Sequence, residues 1–344
     1  MAVTRSGVRI STQSNFSTYT DTLVSGQQGT VSVTGLEPAT KYYAKGLAEA
    51  DGTVYASYNT IDFTTLDYMW FKNTTNGYVS LTIARTGGAI SVALDYSYDG
   101  AAWGTADLSS VNTSTITIPA GGYLFLKGSN KALYDDSANS GVRFSSNGIL
   151  YAGGNVLTLF YDKDISEVIP EYGLYGVFSG FSTLKSCPDF SKVKGVEDYG
   201  LTECFKDCTG IIQGPDLSSA ILGAGDYAFM RAFKGCTSLE RGIQLPIITT
   251  SRVNMCTEMY MNCTTMKAAS VKEIMDDTAS DCFERMFYGC SSLDEVSIGL
   301  LSYTTANHTD WLYGVAATGT LWAPSGLSIP VGNNGVPSGW SLRS

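Results

Sequence analysis

Arg231 to Glu240 reads RAFKGCTSLE, and Arg285 to Asp294 reads RMFYGCSSLD. The phrase recurs with variation as FSGFSTL from Phe178, FKDCTGI from Phe205, FKGCTSL from Phe233, YMNCTTM from Tyr260, FYGCSSL from Phe287 and, degenerately, WLYGVAA from Trp311. Aligned on its small residue, it passes through Phe181, Cys208, Cys236, Cys263, Cys290 and Gly314, at intervals of 27, 28, 27, 27 and 24 residues. A fixed period between about 20 and 50 residues marks a solenoid, whose units bury their apolar faces only against one another. The degenerate first and last copies suit end caps, which cover an otherwise open core.

Each unit has two halves. Before the cysteine, stretches such as GDYAFMRAFKG and SDCFERMFYG place apolar residues at helical spacing (Phe229, Ala232, Phe233; Phe283, Met286, Phe287) and predict a short helical turn. After it, SLERGIQLP and SLDEVSIGLL each predict one strand, with Glu240, Arg241, Asp294 and Glu295 near one sheet face. The Gly or Asn before the cysteine suits the turn between the halves. Stacked units would then form one parallel sheet backed by helical turns.

All eight cysteines lie between Cys187 and Cys290. Four form the repeat column. Cys204, Cys256 and Cys282 fall in the helix-like halves with no shared spacing to it. A structural zinc site wants paired Cys-x-x-Cys ligands, and the single His308 completes none. The column also accepts Phe181 and Gly314, as a packing slot does. The cysteines therefore read as small buried groups. A disulfide between neighbouring rungs is geometrically open but would strain a regular ladder.

The phrase aromatic-x-Gly-Cys-Thr/Ser-Ser-Leu, with its period near 27, resembles the BspA-like leucine-rich-repeat family. Trp311 to Trp340 resembles that family's C-terminal cap. The resemblance covers residues 166–344. It implies adhesion and recognition at the surface of gut Bacteroidota or of phages that infect them, and it supplies no catalytic residue.

The front half reads differently. TGLEPATKYYAKGLA, Thr34 to Ala48, resembles the second half of a fibronectin type III domain, with Leu36 at its turn and Tyr42 at its buried tyrosine. Such a domain needs about seven strands, and about five fit here. Residues 67–165 alternate apolar and polar (YVSLTIA, TSTITIPAGGYLFLKG), which predicts an antiparallel β domain. SYDGAAW, Ser97 to Trp103, resembles an Asp-box hairpin; it reads as an Asp-Gly turn with Trp103 packed across it, carbohydrate contact by Trp103 being the alternative.

Little points to catalysis. A Ser or Cys nucleophile normally needs a base, and His308 in ANHTDW reads as a solvated turn. Asp162, Asp164 and Glu167, and Asp276 with Asp277, read as solvated loop carboxylates rather than a glycosidase pair. Asp162 and Asp164 lack the glycine spacing of a calcium loop, and no phosphate-binding glycine loop is present. The sequons at Asn73 and Asn307 mean little without an export route. No cofactor or metal is expected. A net charge of −10 without a basic stripe argues against nucleic acid. No apolar run of about 20 residues spans a membrane, and the start MAVTRSGVRISTQSNF lacks a signal-peptide core.

The sequence thus predicts a mainly β, multidomain chain. A partial fibronectin III-like module (1–66) precedes a sandwich-like antiparallel domain that caps the solenoid (67–165). About six leucine-rich repeats with short helical turns follow (166–310), then a C-terminal cap (311–344). The repeat positions are Phe181, Phe205, Cys208, Phe233, Cys236, Tyr260, Cys263, Phe287, Cys290 and Trp311. The expected role is non-enzymatic recognition at a phage virion surface, as a fibre or decoration component. Its partners would be other virion proteins, through the N-terminal module, and a bacterial surface protein or polysaccharide; a homo-oligomer is compatible. The alternatives are a bacterial cell-surface adhesin and the carbohydrate-binding part of a glycan-active protein.

Overall fold

The computed structural model describes residues 3–26, 31, 33, 36–37, 40–64, 67–88, 92–106, 108, 113–137, 139–161, 167–217, 221–243, 245, 247–248, 251–271 and 277–344. The chain is mainly β and falls into two compact units, Met1–Tyr68 and Met69–Ser344.

The first unit is one antiparallel sheet in the order Thr20–Ser25, Arg5–Ser11, Lys41–Ala50, Thr53–Ala56, with Ile61–Thr64 pairing the start of Lys41–Ala50. Its core is small: Ile10, Tyr42 and Ala44, with Val8, Val33 and Leu36 against them. The Tyr42 hydroxyl accepts the Glu37 N–H at 2.9 Å.

The second unit begins with two antiparallel sheets. One orders Thr113–Ile118, Val79–Thr86, Ser140–Ser146 and Tyr134–Asp135; the other Leu150–Gly153, Met69–Asn73, Tyr123–Gly128, Leu94–Ser97 and Gly104–Ala106. Alternation sends Leu81, Ile83, Phe144, Phe71, Leu124 and Leu126 inward. From residue 167 the chain winds into a β-solenoid of about five turns, with short parallel strands such as Ala268–Val271, Glu295–Ile298, Gly319–Trp322 and Trp340–Arg343. The antiparallel sheets and the solenoid share one continuous core. The join is also made by backbone bonds: Leu133 N to Gly173 O, Phe144 N to Val177 O and Lys185 N to Leu150 O, at 2.8–3.0 Å.

The halves expected to be helical turns are not helices. Along residues 199–208, every second N–H bonds back three residues within its rung: Thr202 to Tyr199, Cys204 to Leu201, Lys206 to Glu203 and Cys208 to Phe205. The N–H groups between them point along the axis to the next rung: Tyr199 to Asp226 O, Leu201 to Ala228 O, Glu203 to Met230 O, Phe205 to Ala232 O and Asp207 to Lys234 O, at 2.7–2.9 Å. The same alternation recurs in the following rungs. An α-helix would satisfy these groups internally and leave nothing for the neighbour. Aiming half of them sideways requires a left-handed residue at every fourth position, as at Tyr199, Glu203 and Asp207, with φ of 58, 53 and 58°. A left-handed non-glycine residue costs about 1–2 kcal/mol. Each four-residue period gains two axial and two in-rung hydrogen bonds, each worth about 1 kcal/mol net, so the staircase is affordable.

The residue before the cysteine is the last left-handed position of each rung: Gly180, Asp207, Gly235, Asn262, Gly289 and Gly314, with φ between 58 and 77°. Gly314 therefore matches Gly289, and the bond from Gly289 N to Tyr313 O fixes that register. The last copy is shifted by one from the sequence alignment. Val315, not Gly314, continues the cysteine column; Leu312, not Trp311, continues the column of Phe287.

The cysteine is a packing group with one polar duty. Cys208, Cys236, Cys263 and Cys290 are fully buried, and each thiol donates to the carbonyl of the preceding rung's aromatic, Phe178, Phe205, Phe233 and Tyr260, at 2.9–3.1 Å. Beside them run the rings of Phe178, Phe205, Phe233, Tyr260 and Phe287, stacked at 5.0–5.8 Å. Each such pair adds about 0.5–1.5 kcal/mol beyond its burial. Phe144 closes this spine at one end and Trp311 at the other. Phe181 fills the first rung of the cysteine column and touches Phe71. The remaining buried cysteines occupy other core columns, which is why they show no common spacing: Cys204 aligns with Ala232 and Met259, Cys256 with Phe229 and Phe283, Cys282 with Ala228 and Met255.

None of the eight cysteines is in a disulfide, and burial raises the thiol pKa of all four column residues, with Cys236 and Cys290 at about 12. A thiol protonated and sealed from water does not attack disulfides. In the native protein at pH 8, an aromatic disulfide reagent is expected to modify at most the half-buried Cys187, with the other seven reacting only after denaturation. Rapid modification of several thiols in the folded chain would contradict the buried column.

Candidate functional site

The first left-handed column of the staircase carries tyrosines in its opening rungs: Tyr172, Tyr199 and Tyr227. Their rings stack at 4.7 and 4.6 Å with interplanar angles of 3 and 5°. Tyr134, from the antiparallel sheets, extends the group at 5.7 Å from Tyr172 and 4.4 Å from Tyr175. The column then changes to Asn254 and Asp281, so the ladder is confined to this end. All five tyrosines are half-buried. Burial, then Asp136, pushes the Tyr172 phenol up to about 12, and burial is also the main cause of the raised values at Tyr134, Tyr175 and Tyr199. These four phenols are therefore neutral donors at physiological pH.

Beside the ladder lie two open hollows that share Glu171 and Glu197. One, of about 480 Å³, runs over the outer face of the parallel strands; the other, of about 590 Å³, reaches Tyr134 and Tyr172. Glycines shape the first hollow. A Cβ at Gly223 would meet nothing within 4 Å, so the missing side chain leaves open space above the backbone. Carboxylates predominate on the walls: Asp135, Asp136, Glu171, Glu197 and Asp198, against Lys131, Lys194 and Arg252. Lys194 is already paired with Glu167 at 2.6 Å. Glu197 accepts the Glu171 N–H at 3.0 Å, and Asp198 accepts the Asp226 N–H at 2.7 Å, which holds two of the carboxylates in place. The result is a rigid, net acidic groove edged by phenols.

The other candidate residues are placed as follows. The SYDGAAW turn is a hairpin between Leu94–Ser97 and Gly104–Ala106; Asp99 accepts the Ala101 and Ala102 N–H groups, and the Trp103 Nε1 donates to Gly100 O. The Lys127 ammonium lies 4.6 Å over the Trp103 ring. Both sequon asparagines, Asn73 and Asn307, are buried. Asp162, Asp164 and Asp276 lie outside the described residues.

His308 and Asp277 are not solvated. Both side chains are fully buried, because His308 falls in the core column of Leu174, Leu201, Phe229, Cys256 and Phe283. The imidazole stacks between Tyr303 (4.0 Å) and Phe283 (4.9 Å), with Trp311 edge-on. Its Nδ1 lies 3.1 Å from Thr304 O and 3.8 Å from Asp277, and Nε2 has no partner among the described residues. Asp277 accepts from the Ser302 hydroxyl at 2.7 Å and from the Thr304 N–H. Ser302 thus bonds the carboxylate rather than the imidazole, which is not the relay of a serine nucleophile. Only the corrected repeat register would have signalled this burial.

Compared with known proteins, the chain matches no family model, no curated protein and no solved structure. The BspA-like resemblance rests on the sequence phrase alone.

Burial lowers the His308 pKa from 6.5 to about 4, against the opposing pull of Thr304 O and Asp277. Folding favours the neutral ring, so this contribution is complete above pH 6.5 and is lost as pH falls towards 4. Its size is roughly 3 kcal/mol. Urea unfolding of His308→Phe is expected to show a shallower loss of stability between pH 6.5 and 4 than the parent chain. Equal slopes would contradict the buried neutral imidazole.

Proposed function

We propose that this chain is a non-enzymatic recognition protein that presents the acidic, phenol-edged groove of its solenoid to an extended ligand at a bacterial surface, a protein or a glycan. The observation that carries the reading is the tyrosine ladder beside a glycine-opened groove on a backbone locked rung to rung. A solenoid of this kind offers a long rigid face, and rigidity reduces the entropy lost on binding. The setting we propose is a phage virion surface, as a fibre or decoration component, one of the two settings that the BspA-like repeat phrase implies.

The N-terminal unit would dock onto other virion chains. Its Tyr42 hydroxyl bond to the backbone just upstream is the arrangement of a tyrosine corner, which supports the fibronectin-like likeness. The strand Thr53–Ala56 is exposed throughout, and Val54, Tyr55, Tyr58 and Ile61 offer apolar surface to a neighbour.

The labelled chain is expected to bind intact host cells saturably. The double reversal Glu171→Lys with Glu197→Lys, at residues common to both hollows, should lower bound protein roughly tenfold, with only the small loss in melting temperature expected from the exposed Glu197 bond to the Glu171 N–H. Undiminished binding by that variant would sink the groove reading. Antibody detection of the native protein in purified virions supports the setting; its recovery in outer-membrane fractions instead would make the chain a cell-surface adhesin.

A further inference from the structure

The far end of the solenoid carries an exposed indole. Trp322 is 41% exposed and belongs to the strand Gly319–Trp322. Register sets Ser297 and Arg343 beside it on the two flanking strands, and Glu295 and Ser341 beside Thr320. Trp322 and Thr320 share a face because strand side chains alternate, while Leu321 between them is buried. The Trp322 Nε1 donates to Glu295 Oε1 at 3.1 Å. Glu295 lies on the adjacent strand, diagonal to Trp322, so the tether leans the indole across the sheet.

The other four tryptophans are engaged. Trp311 and Trp340 are buried and donate to Gly335 O and Ala316 O. Trp103 lies under Lys127, and Trp70 packs edge-to-face with Tyr123. Among the described residues, neither Trp322 nor Trp340 has a ring or cation against it, and of the two only Trp322 is exposed.

Its surroundings decide what could cover it. A protein partner's hot spot centres on an aromatic within a dry, apolar surround. An apolar small molecule needs a concave pocket. Trp322 has neither. Its neighbours on this face are Ser297, Thr320, Ser341, Arg343 and Glu295. A ligand that meets one aromatic face and a ring of donors and acceptors must itself carry a ring-sized patch of C–H groups bordered by hydroxyls. A pyranose has that form.

We propose that Trp322 is the stacking platform of a carbohydrate-binding subsite for neutral hexose glycans. Arg343 donates to sugar hydroxyls, the second Glu295 oxygen accepts from them, and the Glu295 tether pre-sets the indole. This subsite is independent of the acidic groove at the other end of the solenoid.

The test follows the indole N–H signals of the nitrogen-15-labelled full chain during titration with cello-, malto-, manno- and galacto-hexaose. Trp322→Ala assigns the signal. The signals of the other four indoles report that the variants fold. We expect the Trp322 signal to shift saturably with at least one glycan and binding to be lost in Trp322→Ala. Trp322→Phe should retain part of it, and Glu295→Ala should weaken it several-fold. A Trp322 signal unmoved by all four glycans, or binding undiminished in Trp322→Ala, overturns the subsite. The Glu171→Lys, Glu197→Lys variant should bind these glycans as the parent does, so failure of the groove reading and failure of this one are separable.

Discussion

Everything in the solenoid depends on where alternate amide N–H groups point. In the staircase segments, one N–H closes a turn within its own rung and the next bonds the rung ahead. That rule welds neighbouring rungs along their whole width, on the turn side as well as the strand side. It requires a left-handed residue at every fourth position, and it holds side chains of successive rungs in register at one ring-stacking distance. The aromatic spine and the thiol column follow, since each thiol reaches the carbonyl of the ring on the rung before. The rule also needs something to bond at the start, and the antiparallel sheets supply it through Leu133 and Phe144.

Within that rule the rungs are free to differ. The middle left-handed column reads Glu203, Arg231, Glu258, Arg285 and ends near Asp310. Arg231 bonds Glu258 at 2.8 Å and lies 3.5 Å from Glu203, while Lys234 adds a second cation to Glu258. Each pair joins a largely buried carboxylate to a partly exposed cation, and such a pair is worth little alone. Alternation of sign from rung to rung nonetheless penalises a slip by one rung, which would set like charges together. The first left-handed column uses the same freedom differently, with tyrosines at one end and Asn254 and Asp281 further on.

The period, the parallel strands and the packing role of the cysteines were legible because they depend only on what recurs. The staircase was not. Leu201, Cys204, Phe205 and Cys208 are buried at the spacing of an amphipathic helix, and a turn ladder with a four-residue period produces nearly the same pattern as a 3.6-residue helix. The clue lay in Asp, Asn and Gly recurring at left-handed positions. The misplacement of Gly314 had one cause: the final rung is shorter, and aligning Trp311 with Phe287 matched two aromatic residues instead of two glycines. Correct register moves Trp311 beneath the spine and His308 into the core. The groove was illegible for a different reason. It needs the missing side chain of Gly223, carboxylates from two rungs and Tyr134 from another sheet, and none of these carries a local motif.

Scalar couplings across hydrogen bonds, read from the amide nitrogen to the carbonyl carbon, test the staircase most directly. The account predicts a correlation from Phe205 N to the carbonyl of Ala232, one rung ahead, and from Cys208 N to the carbonyl of Phe205. A correlation from Phe205 N to the carbonyl of Leu201, the bond of an α-helix, would contradict it.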